Sequence, residues 1–274
     1  MPDRARIRVY TGAMGVAAEL REVGSHRELV WTLAMREVRV RYKHSLLGIG
    51  WAVAMPLSMM LVFTFVFTRI APVQVGAVPY PLFALMGLVP WQLTANVLNA
   101  ASRSLSDQRN LVTKVYFARE VLPLSAVLSA LVDFAVALLL VGALMAWFGV
   151  APGVAIVLAP LVLLVQLALC CGLALLVAGA NLLYRDVQFV LQVGVPLWMF
   201  ASSTVYPIPR TGTYWWLAWL NPMTPIIDGW RSALTGRELS LAPEFGVAAA
   251  LSVLVLILCW RWFRRIEPRF GELA

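Results

Sequence analysis

The chain has little charge, little cysteine and no nucleotide-binding loop. Only 13% of its 274 residues are charged, whereas 61% are hydrophobic, which lies outside the range of soluble globular domains. Its three cysteines stand in apolar runs without the Cys/His spacing of a metal site. It contains no GxxxxGK[ST] motif, so the chain is not expected to bind ATP through a P-loop of its own. It also lacks an internal repeat, which argues against a secondary transporter built from two related halves.

Long apolar runs are what the sequence does have. No charged residue occurs from Ser45 to Thr68, which is enough length to cross a bilayer. The pattern predicts an all-α integral membrane protein with six transmembrane helices. These are expected at about Leu46–Thr68, Leu82–Ala101, Val121–Phe148, from after Gly153 to Leu183, from after Asp186 to Tyr206, and Phe245–Phe263.

The charges are distributed unequally between the two sides of this arrangement. Six spans place both termini on one side, and 18 of the 22 lysine and arginine residues lie there. By the positive-inside rule both termini are cytoplasmic, in a multi-pass protein of the cytoplasmic membrane. The net charge of +8 therefore indicates topology and not a nucleic-acid partner. Residues 1–26 lack the features of a secretory signal and are expected to be a cytoplasmic lead-in.

An amphipathic helix is predicted over residues 27–45. Apolar side chains recur along one stripe, and cations lie away from its centre. Such a helix rests in a membrane interface with its cations toward anionic headgroups. The stripe consists of Trp31, Met35, Val38, Tyr42 and Leu46, and the basic face of Arg36, Arg39, Arg41 and Lys43.

Residues Arg36 to Gly48, followed by Trp51 and Pro56-Leu57, resemble the opening of the membrane subunits of ABC-2 type polysaccharide exporters. The resemblance runs from Leu29 to Gly271 and implies an ABC-2 type transmembrane domain over residues 27–274. It implies two copies of the chain forming a conduit, driven by two copies of a separate ATPase that holds ATP and Mg. The substrate would be a lipid-linked glycan with a phosphate or pyrophosphate headgroup. Guanidinium groups suit such oxygens, so the basic face is a candidate headgroup site.

A polar island at residues 103–120 is predicted to be the cytoplasmic coupling loop. On pattern alone it suits a short amphipathic helix or a solvated loop. The stretches Asn110–Phe117 and Arg119–Leu124 are similar to the loop that docks on the ATPase in this family, with Ala118 where proline is usual. The candidate coupling residues are Arg109, Asn110, Lys114, Tyr116, Phe117, Arg119 and Glu120, with Tyr116 and Phe117 as the apolar anchors.

Two other polar features interrupt apolar sequence. Asp133 lies well inside a span, where it either contacts a sugar hydroxyl or accepts hydrogen bonds from a neighbouring helix. The element Tyr184-Arg185-Asp186 is similar to a family motif at the cytoplasmic mouth. Asp186 could cap the next helix, with Arg185 at headgroup level, or the element could act in gating.

The segment 207–243 is apolar yet broken by proline, so it is expected to form re-entrant outer helices between the fifth and sixth spans. Its tryptophans suit either an interfacial belt or a sugar channel. Residues Asn221 to Arg231 are similar to the outer gate of this family. The break at Asn221-Pro222 could act as its hinge, and Asp228 and Arg231, three residues apart, could latch it. The candidate channel and gate residues are Trp215, Trp216, Trp219, Asn221, Pro222, Asp228, Trp230 and Arg231.

These features together predict the permease subunit of an ATP-driven exporter of lipid-linked polysaccharide. The chain itself is then a transport subunit and not an enzyme, surrounded by membrane lipids and without a nucleic-acid partner. Two alternatives stay open. One is an ABC-2 exporter of another amphiphile, such as a glycolipid or drug, and the other is an integral-membrane enzyme of lipid-linked glycan assembly.

Overall fold

A computed structural model describes residues 27–43, 45–76, 78–108, 118–184, 186–208, 215–236 and 241–269. Within these residues the chain forms nine α-helices and no β-strand. The helices are α1 (Arg27–Tyr42), α2 (Trp51–Phe65), α3 (Tyr80–Ser104), α4 (Val121–Trp147), α5 (Ala159–Leu183), α6 (Val187–Phe200), α7 (Trp215–Leu220), α8 (Met223–Thr235) and α9 (Pro243–Ile266). Short 3₁₀ or π turns extend α2 at both ends and precede α5.

Five helical segments are long and apolar enough to cross a membrane. They confirm five of the six expected spans as apolar helices of the expected length and position. They comprise Gly48–Ile70, Tyr80–Ser104, Val121–Trp147, Val154–Leu183 and Pro243–Ile266. The chain is thus a multi-pass membrane protein with an all-helical fold in its described part.

The expected fifth span is a shorter apolar helix, because α6 ends at Phe200. The hydroxyl of Ser202 donates to the carbonyl of Trp198 at 2.8 Å, and the amide of Thr204 donates to the carbonyl of Ser202 at 2.7 Å. Serine and threonine offer the backbone local partners outside the regular helical pattern. The sequence contains this run, Ser202-Ser203-Thr204, but its apolar pattern predicted a span that continued to Tyr206.

Helix α3 forms the centre of the bundle. Along the apolar stretch of this span 83% of the residues are buried, whereas only 11% are buried in the first span, Gly48–Ile70. Helices α2, α4, α5, α6 and α8 all pack against α3. A glycine in α3, Gly87, allows the turn after α6 to approach, since a Cβ there would lie 2.0 Å from the carbonyl oxygen of Thr204.

Helix α8 lies inside the bundle and runs alongside α3. At its start the sulfur of Met223 lies 3.5 Å from the hydroxyl of Thr94, which is about 21 Å along α3 from Tyr80. At its end the carbonyl of Gly236 accepts from the amide of Ala155 at 3.3 Å, in the turn between α4 and α5. The outer segment therefore includes a helix that extends well down the length of α3.

Helices α5 and α9 cross at a glycine. A Cβ on Gly172 would lie 2.8 Å from both the backbone nitrogen and the Cα of Leu256, a distance that real side chains do not show. The two backbones therefore approach closely only because this position has no side chain, as at small-residue contacts between membrane helices.

We expect Gly172→Ala to lower the melting temperature of the purified protein in detergent by several degrees. The added methyl group must separate α5 from α9, and overpacking of this kind costs about 1–3 kcal/mol. Gly142→Ala in α4 is the matched control, because a Cβ there meets nothing within 4 Å. The control should be neutral or slightly stabilising, since alanine favours helix. Equal melting temperatures for the two variants would contradict the close approach.

Candidate functional site

A cavity of about 790 Å³ lies among α1, α2, α3 and α4. Its walls combine charged, amide and apolar side chains, which is unusual inside a bundle of apolar helices. Several candidate residues from the sequence lie around it together with residues that the sequence reasoning missed. The lining includes Arg36, Glu37, Arg41, Tyr42, Trp51, Met55, Gln92, Asn96, Asn99, Arg103 and Asp133.

A polar cluster joins α1 to α4 at one wall of the cavity. Arg41 forms an ion pair with Asp133 and also donates to the hydroxyl of Ser129 at 3.1 Å. The hydroxyl of Tyr42 donates to the second Asp133 oxygen at 2.9 Å. Both carboxylate oxygens of Asp133 therefore accept hydrogen bonds from α1. Of the two roles considered for this residue, the structure shows the contact with a neighbouring helix.

Burial raises the pKa of two α1 residues at this cluster. Burial, assisted by the hydrogen bond to Asp133, raises the pKa of Tyr42 to about 12, so the phenol stays a donor at cellular pH. Glu37 lies 3.2 Å from Arg41 on the same helix. Burial raises the pKa of Glu37 above its ordinary value, while the neighbouring Arg41 opposes that rise.

The basic face predicted for α1 is divided in the structure. Arg41 points toward α4 although it is itself partly exposed, and Arg36, Arg39 and Lys43 are exposed as well. Of those three, only Arg36 lines the cavity, where Arg103 from α3 joins it. The four cations predicted to share a basic face thus differ in their surroundings, since a carboxylate within α4 pairs with Arg41, and their role at a headgroup stays a prediction.

The predicted apolar stripe of α1 is not the face that packs on the bundle. The buried residues of this helix are Leu33 and Ala34, whereas Trp31 is 57% exposed and Leu46, beyond the end of α1, is fully exposed. At 3.6 residues per turn the buried face lies about a third of a turn from the stripe. The exposed members of the stripe, Trp31 and Leu46, therefore remain available to lipid, whereas Tyr42 at its C-terminal end contacts α4.

Helix α3 contributes a polar ladder that the sequence reasoning missed. We use this name for Gln92, Asn96, Asn99 and Arg103, which recur at spacings of four, three and four and all line the cavity. From Leu82 to Leu98 every residue of α3 is buried except Gln92 and Asn96. The signal was present in the sequence, as polar residues on one helical face of an apolar span.

The described end of the predicted coupling loop is tied to the last helix. Glu120 is fully buried and forms an ion pair with Arg264 of α9, and Arg119 donates to the backbone carbonyl of Glu267. An apolar cluster that includes Val121 and Phe263 surrounds these contacts. The remaining coupling candidates, Arg109, Asn110, Lys114, Tyr116 and Phe117, lie outside the described residues, as does the lead-in at 1–26.

At the expected cytoplasmic mouth, Tyr184 is 69% exposed and Asp186 precedes α6. The side chain of Asp186 makes no capping hydrogen bond, which corrects the interpretation of this residue as a helix cap. Arg185 lies outside the described residues.

The tryptophans of the outer segment fall into two environments. Trp215 and Trp216 are about half exposed, whereas Trp230 is only 2% exposed. The indole of Trp230 donates to the side-chain oxygen of Gln166 at 2.8 Å, and its ring meets Phe134 edge-on at 5.3 Å. The expectation that Trp230 lines a channel is therefore corrected, because it is a core residue. Trp219 lies between these extremes.

The proposed hinge residue Asn221 bridges α6 and α8. Its side-chain oxygen accepts from the indole of Trp198 at 2.9 Å, and its nitrogen donates to the carbonyl of Ala201 and the hydroxyl of Ser202, both at 2.8 Å. Pro222 follows immediately and precedes the first residue of α8. Both the oxygen and the nitrogen of the Asn221 side chain are therefore hydrogen-bonded.

The proposed latch pair is in contact. Arg231 lies 3.0 Å from Asp228 and donates to the backbone carbonyls of Ser203 and Thr204 at 2.6 and 2.7 Å. Its guanidinium stands 3.6 Å from the centre of the Phe83 ring in α3. The hydroxyl of Ser203 donates to Asp228 at 2.7 Å. One arginine therefore connects α8 to α3 and to the turn after α6, a wider role than the pairing expected from spacing.

Comparisons with known proteins agree with this arrangement. The model of the ABC-2 type transporter family matches residues 28–235. The chain is 31% identical to the O-antigen export system permease protein RfbA of Myxococcus xanthus, over 92% of this chain and 98% of that protein. It is 25% identical to an RfbA permease of Klebsiella pneumoniae, over 90% and 95%. It is 24% identical to the polysialic acid transport protein KpsM of Escherichia coli, over 87% and 93%.

We expect Asp133→Asn to loosen α1 from α4. Asparagine can still accept from Tyr42, but Arg41 loses its ion-pair partner, and a hydrogen bond to a charged group contributes about 1.5–3 kcal/mol before partial exposure reduces it. Trypsin cleavage within α1, mapped by mass spectrometry on the purified protein, should become roughly tenfold faster. Ser129→Ala, which removes a neutral acceptor of the same guanidinium, should change the rate less. Unchanged cleavage in Asp133→Asn would show that the pair does not hold α1.

Proposed function

The chain belongs to the ABC-2 type transporter family, and from that premise we propose that it is the permease subunit of an ATP-driven exporter of lipid-linked polysaccharide. The relatives named for O-antigen export and polysialic acid transport support a polysaccharide as the cargo. Membership in a transporter family also makes the chain a transport subunit. On this proposal the exporter operates in the cytoplasmic membrane.

The cavity is the observation that carries the proposal. A lipid-linked glycan presents an apolar tail, an anionic phosphate headgroup and a chain of hydroxyls. The cavity offers exposed cations at Arg36 and Arg103, and an apolar wall at Met55 and Pro56 of α2. Because both kinds of surface meet in one space of about 790 Å³, the headgroup of such a lipid can be held there.

The headgroup site proposed for the basic face is refined by this geometry. Arg36 is the cation of α1 that faces the cavity without an ion-pair partner among the described residues. Arg41 also lines it but is paired with Asp133. Arg39 and Lys43 are exposed away from the cavity, where they suit contact with anionic lipid headgroups.

A six-span topology with cytoplasmic termini fits the position of α6. Asn181, near the end of α5, donates to the carbonyl of Ser102 at one end of α3, at 2.7 Å. Val205, after α6, accepts from the hydroxyl of Tyr80 at the other end of α3, also at 2.7 Å. The chain thus passes along about 33 Å of α3 between these points, which exceeds the roughly 30 Å hydrocarbon core. This supports α6 and the turn after it as the fifth crossing, which brings the total to six.

The depth of α8 supports a re-entrant outer segment. Its first residue, Met223, lies beside Thr94 deep in α3, and its last turn lies beside the loop between α4 and α5. With α7 before it, the chain would descend into the bundle and return to the same side. Non-helical backbone at such depth must be enclosed by protein, which the contacts of Asn221 with α6 provide.

A separate ATPase supplies the energy on this proposal. The chain has no P-loop, and membership in an ABC transporter family supports a nucleotide-binding partner that holds ATP and Mg. We propose two ATPase copies on two copies of this chain, docked through residues 103–120. The link from Glu120 to Arg264 would pass movement of that loop to the last span.

We expect Arg36→Lys to reduce export of the cell-surface glycan about tenfold. Lysine keeps the charge but loses the two-pronged contact with phosphate oxygens, and a charge-assisted hydrogen bond contributes roughly 1.5–3 kcal/mol. Arg39→Lys is the matched control on the same helix, outside the cavity, and should export normally. The measurement is the appearance of radiolabelled sugar at the surface of cells whose permease levels are equalised by immunoblot. Equal export in both variants would mean that Arg36 serves only as a lipid anchor.

We also expect Tyr116→Ala combined with Phe117→Ala to uncouple ATP hydrolysis from export. Removing two apolar anchors weakens a docking surface while leaving membrane insertion intact. In proteoliposomes with the ATPase, hydrolysis should continue while glycan transport stops. Ser106→Ala is the control, since this hydroxyl donates only to the carbonyl of Arg103 in its own turn. Normal transport in the double variant would remove the docking assignment.

A further inference from the structure

We propose that the polar ladder of α3, through Gln92 and Asn96, binds the sugar units next to the lipid headgroup. This inference rests on the proposed function, because it takes the headgroup to be held at the cations of the same cavity. It assigns a sugar-binding site to α3, which the sequence predicted only as a transmembrane span.

The exposure pattern of α3 is the first step. Over the 17 residues from Leu82 to Leu98 the only two that are not buried are amides, and both line the cavity. The apolar residues of this stretch all face protein. A helix that faces lipid exposes apolar side chains. This stretch of α3 instead exposes two polar side chains and buries its apolar ones, which is typical of a helix that faces an aqueous space.

The hydrogen bonds of the two amides are the second step. Gln92 donates to the side-chain oxygen of Asn96 at 3.0 Å. Among the described residues no group donates to the remaining Gln92 oxygen, and none accepts from the Asn96 nitrogen. One acceptor and one donor thus open into the cavity side by side. In hydrocarbon such groups would be costly, so this space must hold water or a polar ligand.

The chemistry of the amides selects the ligand. A sugar hydroxyl donates and accepts at once, and a neighbouring amide oxygen and amide nitrogen match both functions. An ionised phosphate only accepts, so it would leave the Gln92 oxygen without a donor, whereas the cations of the cavity match it fully. The ladder is therefore suited to the neutral part of the substrate.

The order of groups along α3 places the two subsites. Arg103 lies at the end of the helix that carries the cations, and Gln92 lies about 16 Å further into the bundle. A headgroup at the cations would thus direct the first sugars along the ladder toward the middle of the membrane. The cavity volume suits a few sugar units and not a polymer. The exposed indole of Trp51 on the facing α2 adds an apolar ring face at which a sugar can pack.

The test compares two lipids on the full-length protein in nanodiscs. The probes are a radiolabelled polyprenyl diphosphate and the same lipid carrying a short N-acetylglucosamine oligosaccharide. The native protein should bind the glycosylated lipid about tenfold more tightly, as expected for one or two added hydrogen bonds. Gln92→Met with Asn96→Leu keeps side-chain volume but removes the polar atoms. This double variant should bind both lipids with the affinity of the native protein for the bare diphosphate.

Two further variants complete the design. Asn96→Ser replaces the amide by a hydroxyl, which still donates and accepts, and should retain part of the preference for the glycosylated lipid. Ser58→Ala is the control, because this exposed hydroxyl on α2 donates only to its own helix and does not line the cavity. It should leave both affinities unchanged.

Four results would overturn the inference. The native protein could bind both lipids equally, or the double variant could keep the preference, and in either case the ladder does not bind sugar while the headgroup site stands. A change in the number of chains per particle in the double variant would instead assign the ladder to contact between copies. If neither lipid bound to the native protein, the proposed headgroup function would fail together with this inference.

Discussion

The structure depends on one constraint, the cost of leaving polar groups unpaired inside an apolar helical bundle. Hydrocarbon provides no hydrogen bonds, so most polar side chains there pair with their own helix or with a neighbouring one. The indole of Trp230 and the amide of Gln166 pair between α8 and α5, and Gln166 donates in turn to the carbonyl of Pro90 in α3 at 2.7 Å. Asn181 likewise connects α5 to α3. Each such bond specifies which helices are neighbours, in an environment where apolar contact alone discriminates poorly.

The same constraint makes the outer segment specific. Arg231 is nearly buried, and its donors reach backbone carbonyls of the turn after α6, where Ser203 and Thr204 end the helix. Short helices at this depth are held by these bonds and by Asn221, and not by their length. Any movement of α8 must therefore break or exchange several hydrogen bonds together.

Some polar residues that escape the constraint line the cavity among α1, α2, α3 and α4. Helix α1 meets α4 through Arg41 and Asp133, whose charges neutralise each other. Arg36 and the amides of Gln92 and Asn96 line the same space with unpaired polar atoms among the described residues. A transporter needs such groups, because a substrate can bind only where the protein has not already satisfied its own donors and acceptors. A cavity that combines paired and unpaired polar groups can thus be both stable and able to bind.

The sequence by itself determined the positions of five long apolar helices, the helix before the first span and the breaks in the outer segment. These follow from local properties, since span length, helical period and proline are read from neighbouring residues. It also indicated Asp133 as a residue that needs a partner. Only the tertiary structure decided that the partner is Arg41, that Trp230 lies in the core, and that Gln92 and Asn96 face a cavity. Those outcomes depend on which helices meet and at what rotation, and contacts between residues as far apart as 41 and 133 leave no local pattern in the chain.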